Sequence, residues 1–396
     1  MKKLVLLFFA LTIAFASFAQ TSLVWKFKTG AAIHSSPVIC GSSVFVGSCD
    51  MNLYSLDKNS GNVNWKFETK GEIRSTPCVF ENDIFFNSSD GNIYSLDKNT
   101  GKLLWTFATN GENRNDLWDY NLSSPVVYNG AVYVGCGDST IYAIDAKTGK
   151  KIWAYKTNGI VHASPVIRDN VVYTGSFDGS MYALDSRNGN LIWKFKTVGD
   201  NSFPKGEIQN AALLFSNTIF FGSRDNNIYA INIKTGTGRW NFKERASWVI
   251  ATPFLYNKNL YVGTSDSHKF YCLNAGSGEI KWVKPLNMRV YASAALVGGK
   301  IAFGSFNGKL YFVDPETGKT DHVFQSEENK KLYSLIYNGD DSFRSDFLLY
   351  GETMKAVEES ERKILDLGSI ISSPAVEGQN LFIGAANGYI YSILNK

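Results

Sequence analysis

Three observations predict an all-β chain of eight four-stranded blades closed into a propeller. A strand–turn–strand pattern recurs along the chain, clearest at Ile141 to Trp153, IYAIDAKTGKKIW. Ahead of each copy lies a second unit: Ser-x-Pro, a short apolar strand, a turn, and another apolar strand ending in Gly and a small residue, as from Ser35-Ser36-Pro37 to Gly47-Ser48. Between the units sits an Asp or Asn turn of the kind that closes tight hairpins, such as Asp90-Gly91, Asp178-Gly179 or Asn307-Gly308. Four short strands in about forty residues, repeated, is the pattern of a propeller blade.

From the start, Met1-Lys2-Lys3 is a basic head and Leu4 to Phe15 an apolar run, followed by the small-x-small site Ser17-Phe18-Ala19. This reads as a cleaved export signal over residues 1–19, leaving residues 20–396 as one propeller domain. The apolar run is short for a membrane span, and no comparable run follows, so no transmembrane segment is expected after cleavage. An uncleaved anchor is the competing reading. Removing residues 1–19 takes away two Lys and no acid, so the formal charge falls from +4 to +2. The charges are mixed and form no basic block, which argues against a nucleic-acid partner.

Val24-Trp25-Lys26-Phe27 resembles the end of a blade whose beginning is missing, and Ser372-Ser373-Pro374 to Leu394 the beginning of one whose end is missing. Together they complete one blade, with the N-terminal strand closing the ring and removing two exposed sheet edges. The remaining copies run Leu53–Trp65, Ile93–Trp105, Ile141–Trp153 and Met181–Trp193, then more loosely Ile228–Trp240, Phe270–Trp282 and Leu310–His322. In the turn, Asp bonds its own backbone and Gly supplies a positive φ. Trp25, Trp65, Trp105, Trp153, Trp193, Trp240 and Trp282 are expected to lie between blades, each over its neighbour's turn. Residues at about 325–367 (LYSLIYNG, DFLLYGE, MKAVEES, RKILDLG) echo the strands without their Trp or turn. They are expected to form a decorated junction with β character; nine blades is the alternative if they make a degenerate blade.

Five cysteines, with no CxxC, occupy strand positions that other repeats fill with Ile, Ser or Ala. Small buried thiols are expected, one disulfide being the alternative. No ligand spacing supports a metal site, and neither Gly-x-Ser-x-Gly nor HExxH occurs.

Two insertions collect on one face, Asn110 to Leu122 (NGENRNDLWDYNL) and Val198 to Gln209 (VGDNSFPKGEIQ). In the first, Arg114, Asp116, Trp118, Asp119 and Tyr120 have no framework duty, and such residues on loops are the usual anchors of interfaces. They are candidate partner-binding residues, unless Trp118 simply packs down on the face. The residue before each inner strand should ring the axial mouth: His34, Arg74, Leu122, His162, Gln209, Ile250, Tyr291 and Ile371. Of these, His34, Arg74, His162, Gln209 and Tyr291 are candidate ligand-binding residues of a funnel, or members of a solvated rim. His34 and His162 are two blades apart, so joint metal binding or acid–base work is not expected.

The pattern Ala143-x-Asp145-x-x-Thr148-Gly149-x-x-x-Trp153 resembles the tryptophan-docking repeat of the pyrroloquinoline-quinone-type propellers, and the resemblance covers nearly the whole mature chain. Large members of that family are quinone-dependent alcohol and sugar dehydrogenases. Small exported members look like the propeller subunit of the outer-membrane β-barrel assembly machinery, which binds partners and catalyses nothing. The adjacent cysteines, calcium-ligand set and haem CxxCH typical of the dehydrogenases are not found here. The lipid-accepting Cys usual in the assembly subunit is not found either. The resemblance therefore implies a monomeric, non-enzymatic propeller without cofactor, periplasmic or secreted or peripheral to the outer membrane, which binds a protein or peptide partner of the cell envelope. The alternatives are an enzyme that binds a quinone, with calcium, or a sugar in its axial funnel, and a sensor or scaffold module of a larger complex.

Overall fold

The computed structural model describes residues 21–245 and 247–396, and within them thirty-two strands form eight four-stranded antiparallel sheets. The export signal expected at residues 1–19 lies outside the described residues. The first blade holds Val38–Cys40, Ser43–Gly47, Asn52–Asp57 and Val63–Glu68, and six more follow in the same meander. The eighth is composite. Ala375–Glu377, Asn380–Gly384 and Tyr389–Asn395 come from the C-terminus, and Thr21–Lys28 pairs onto the last of them with Lys26 opposite Tyr391. Eight blades, closed by the N-terminal strand, is the architecture.

The core lies between blades. Tyr133, Ile141 and Ala143 of one blade pack with Val161, Val172 and Leu184 of the next, and Trp153 joins them from the outer strand. Near the axis the blades crowd, so in every blade but the one with Asn87 a Gly stands at the end of the second strand: a Cβ on Gly47 would lie 2.4 Å from Ile73, and one on Gly135 would lie 2.3 Å from Val161.

Each outer strand carries a β-bulge just before its Trp position. Ala143 faces Trp153 and Ile144 faces Lys151, which leaves Ile152 unpaired, and the other seven blades repeat the shift. A bulge bends the strand and re-aims the following side chain, and it also blunts an edge that another strand could join. The re-aimed indoles reach the neighbouring turn. Trp25 Nε1 donates to Lys58 O at 2.8 Å, Trp65 to Lys98 O at 3.1 Å, Trp105 to Ala146 O at 2.8 Å and Trp153 to Ser186 O at 2.8 Å. Trp193, Trp240 and Trp282 donate likewise to Ile233, Ala275 and Pro315.

The eighth member of the series is His322, stacked on Phe312 with centroids 4.1 Å apart. Its receiving blade is the composite one, whose third and fourth strands come from opposite ends of the chain. No turn joins them to offer a carbonyl or a glycine, so nothing there selects for an indole.

Residues 325–367 correct an expectation. They form neither a ninth blade nor β structure beyond one isolated bridge, Tyr337 with Phe343. Two helices occupy the stretch, α1 (Glu327–Tyr333) and α2 (Met354–Asp366), capped by Ser326 and Thr353. In α2, Val357, Ser360, Glu361 and Ile364 fall on one buried face at helical spacing, while Lys363 pairs with Glu359 at 2.9 Å outside. Short apolar runs such as LYSLI do not distinguish strand from helix. All five cysteines are free thiols, two of them buried.

Candidate functional site

The Asp residues that follow the second strands tie the blades together at the end of the propeller that carries the insertions. Asp50 Oδ2 accepts Tyr54 OH and the Gly30 N–H, each at 2.7 Å, and Asp90 accepts Tyr94 OH at 2.7 Å and the Lys70 N–H at 3.0 Å. Three blades depart from this rule: in one Asn307 Nδ2 donates to Tyr311 OH at 2.7 Å, in the composite one Tyr391 OH turns to Glu328 of α1 at 3.3 Å, and the third recruits a glutamate. There Glu244 takes the tyrosine bond, from Tyr271 at 3.0 Å, and Asp266 is released to meet Tyr350 of the insert.

The eight residues expected at the axial mouth do surround the axis, but all are buried, from 1% exposure at His162 to 9% at His34. A cap covers them, built from the loop 110–122, the loop 198–209 and the insert with α1 and α2. Its apolar underside joins Tyr120, Trp248, Met288, Tyr291, Phe306, Ile364 and Leu367, with Trp118 and Phe203 packed against them.

The first loop lies across the face instead of projecting from it. His162, fully buried, bridges two of its acids, with Nδ1 2.8 Å from Asp119 Oδ2 and Nε2 2.5 Å from Glu112 Oε1. Burial opposes the imidazolium, yet Asp119 and then Glu112 outweigh it and raise His162 to about 9. Arg74 Nη1 donates to Asp119 O at 2.8 Å. Arg224, 2% exposed, grips Asp116 and Gln209 while stacking 4.3 Å over Trp248, and Gln209 Nε2 donates to Trp118 O at 3.1 Å.

At the centre stands Tyr120. Its ring meets His34 edge-on at 5.2 Å and Phe306 at 5.7 Å, and its hydroxyl donates to Glu361 of α2. Glu361 also receives Arg289 Nη1 through both oxygens at 2.8 Å, and Arg289 Nη2 reaches Tyr350 OH at 3.0 Å. Loop, insert and blade junction therefore meet in one buried polar cluster on the axis.

Of the five residues expected to face a partner from this loop, Asp119 and Tyr120 are buried, Asp116 and Trp118 are half-buried, and Arg114 alone stays exposed. The reason is the partner set just given: these side chains fasten the loop. The sequence reading missed Glu112, Arg224, Arg289 and Glu361. A legible trace existed for the last: Glu361 shares a helical face with Val357 and Ile364, and a carboxylate on an apolar stripe implies a buried partner.

Beneath the cap lies an axial cavity of about 210 Å³ lined by hydroxyl and amide side chains. Ser36 N–H donates to Thr76 Oγ1 (3.2 Å), Thr76 N–H to Ser124 Oγ (2.9 Å) and Ser124 N–H to Ser164 Oγ (2.9 Å). Ser293 bonds Ser373 and Ser373 bonds Ser36 in the same manner, so hydroxyls belt much of the axis. No Asp or Glu lines this cavity. The residues do not fit a quinone with calcium: Tyr120 stands where the ring system would enter, and calcium calls for a carboxylate-rich oxygen shell.

Three overlapping stretches, residues 13–117, 110–241 and 204–331, match the family described as outer membrane protein assembly factor BamB. No curated protein sequence matches the chain. Among solved structures, BamB from Moraxella catarrhalis is similar with a TM-score of 0.72 at 14% identity, over 95% of this chain and 100% of that one. A europium-containing methanol dehydrogenase reaches 0.70 at 14% identity, over 96% and 94% of the two chains. The quinohemoprotein alcohol dehydrogenase ADHIIG from Pseudomonas putida HK5 reaches 0.68 at 12% identity, over 95% and 76%. These likenesses are likenesses of fold, and an assembly factor and dehydrogenases share it.

Proposed function

This chain belongs to the family of the outer membrane protein assembly factor BamB, and from that premise we propose that it is an exported, non-enzymatic scaffold that holds a protein partner in the cell envelope. The observation that supports this most is the closed axial mouth: the place where an axial funnel would open is filled by Tyr120 and sealed by the Glu361–Arg289 pair. The working surface is then the outside of the cap. There the insert exposes Leu335 (66%), Leu348 (70%), Met354 (61%) and Tyr350 (48%). Beside them a cleft of about 390 Å³ is floored by Leu332, Ile336, Phe347 and Leu367. Clustered exposed apolar side chains on one added segment suit an interface better than a solvated surface.

A photo-crosslinking amino acid at position 335 or 348, in cells making the full chain, should yield one dominant protein adduct from the envelope. Leu348→Asp should abolish the adduct from position 335, and Leu335→Asp the adduct from position 348, at unchanged fold. The same probe at Ile152, on an outer strand, should give none. No adduct from the insert, or equal adducts from all three positions, would sink the reading.

A further inference from the structure

A second cavity, about 370 Å³, opens on the flank of the cap between the loop 110–122 and α2. His34 and Arg74 are the two residues that line both this cleft and the axial cavity, so they stand between the two. Both are more than nine-tenths buried, and each leaves a nitrogen without a partner. Arg74 spends Nη1 on the loop carbonyls, but its Nε makes no hydrogen bond; Glu72 Oε2 approaches to 3.4 Å without alignment from a half-exposed side chain. His34 Nε2 likewise makes no well-aligned hydrogen bond; the Tyr120 backbone lies near the ring, and Nδ1 faces Cys49 Sγ at 3.8 Å. Buried polar groups are normally hydrogen-bonded, so two nitrogens in one cleft lining that make no hydrogen bond point to a ligand.

The charge around them sets the sign of that ligand. Burial, then the guanidinium groups of Arg74 and Arg114, hold His34 neutral down to about 3. Arg114 makes no ion pair among the described residues. Its Nη2 donates to Leu117 O at 2.6 Å and its guanidinium lies over the Tyr120 ring. On the opposite wall Glu361 is neutralised by Arg289; Glu72, half-exposed, offsets part of the Arg74 charge from 3.4 Å, and Glu358 and Arg362 stand at the solvent edge. Deeper in, the belt hydroxyls use their oxygens to accept backbone N–H groups, which leaves their own hydrogens to be donated.

We propose that the flank cleft takes a small oxyanion, a phosphate or a carboxylate, held by Arg74 Nε, His34 Nε2 and the Arg114 guanidinium. The carboxylate could belong to a free small acid or to the C-terminus of a peptide. Guanidinium recognition of either rests on charge-assisted hydrogen bonds.

The test is calorimetric titration of the mature chain with inorganic phosphate, and with a short peptide carrying a free or an amidated C-terminus. Phosphate should saturate with Kd of about 1 mM or tighter, and Arg74→Gln should weaken it at least about tenfold. Arg114→Gln, at an exposed position, should weaken it too and keeps the test decisive if Arg74→Gln fails to fold. Saturation by the free-ended peptide alone, lost on amidation and in either variant, would assign the site to a chain terminus. Binding of neither probe, or binding untouched by both substitutions, would overturn the proposal.

Discussion

Glu361→Ala is expected to destabilise the protein by about 3–5 kcal/mol, the usual loss when one member of a buried ion pair is removed. Glu361 is 1% exposed and Arg289 is fully buried, so the substitution strands a guanidinium whose remaining neighbours are Tyr350 and the distant edge of Asp266. It also takes the acceptor from Tyr120, and with it the tie between the loop 110–122 and α2. Urea unfolding measures the loss, and hydrogen exchange locates it. Protection should fall first across residues 326–367 and 110–122, with the blades unaffected until global unfolding. A loss below about 1 kcal/mol would mean that the freed guanidinium is rehydrated or re-paired, and that the pair does not anchor the cap.

Trp105→Ala should cost a similar amount, about 3–5 kcal/mol, through a different mechanism. The indole is 9% exposed, donates to Ala146 O and lies flat against Gly149, which holds a φ of +69° so that the turn can approach it. A Cβ at Gly149 would sit 2.8 Å from the ring, so Gly149→Ala should weaken the same seam from the other side. His322→Ala provides the contrast. It occupies the matching position where no turn receives it, and should cost about 1 kcal/mol or less. Equal losses at positions 105 and 322 would show that the stability comes from the side chain's own blade and not from docking on the next.

The blades were legible because their information is local and repeated. A turn such as Asp145 to Gly149, a Gly ending the second strand and an aromatic ending the fourth each state a requirement within a few residues, and eight copies average out exceptions such as His322. The cap was not legible for the opposite reason. Tyr120 and Glu361 are separated by 241 positions and Arg289 and Glu361 by 72, with no local pattern to announce either contact. The same holds for the loop 110–122. Its Asp116, Asp119 and Tyr120 look like surface anchors in sequence because the residues that bury them, Arg224, His162 and Glu361, lie in other blades or in the insert. The one blade in which Glu244 replaces Asp266 as the tyrosine acceptor also breaks the repeat for a reason outside it: the freed aspartate holds Tyr350 of the insert.

The axial mouth of this propeller is closed by its own side chains, and on the function proposed above the molecule works from the outside of the cap. Calorimetric titration of the mature protein with pyrroloquinoline quinone, with and without calcium, tests it most directly. No saturable binding at micromolar quinone and no effect of calcium are expected. Micromolar binding that calcium strengthens, and that changing His162 and Gln209 abolishes, would return the axis to use as a cofactor funnel.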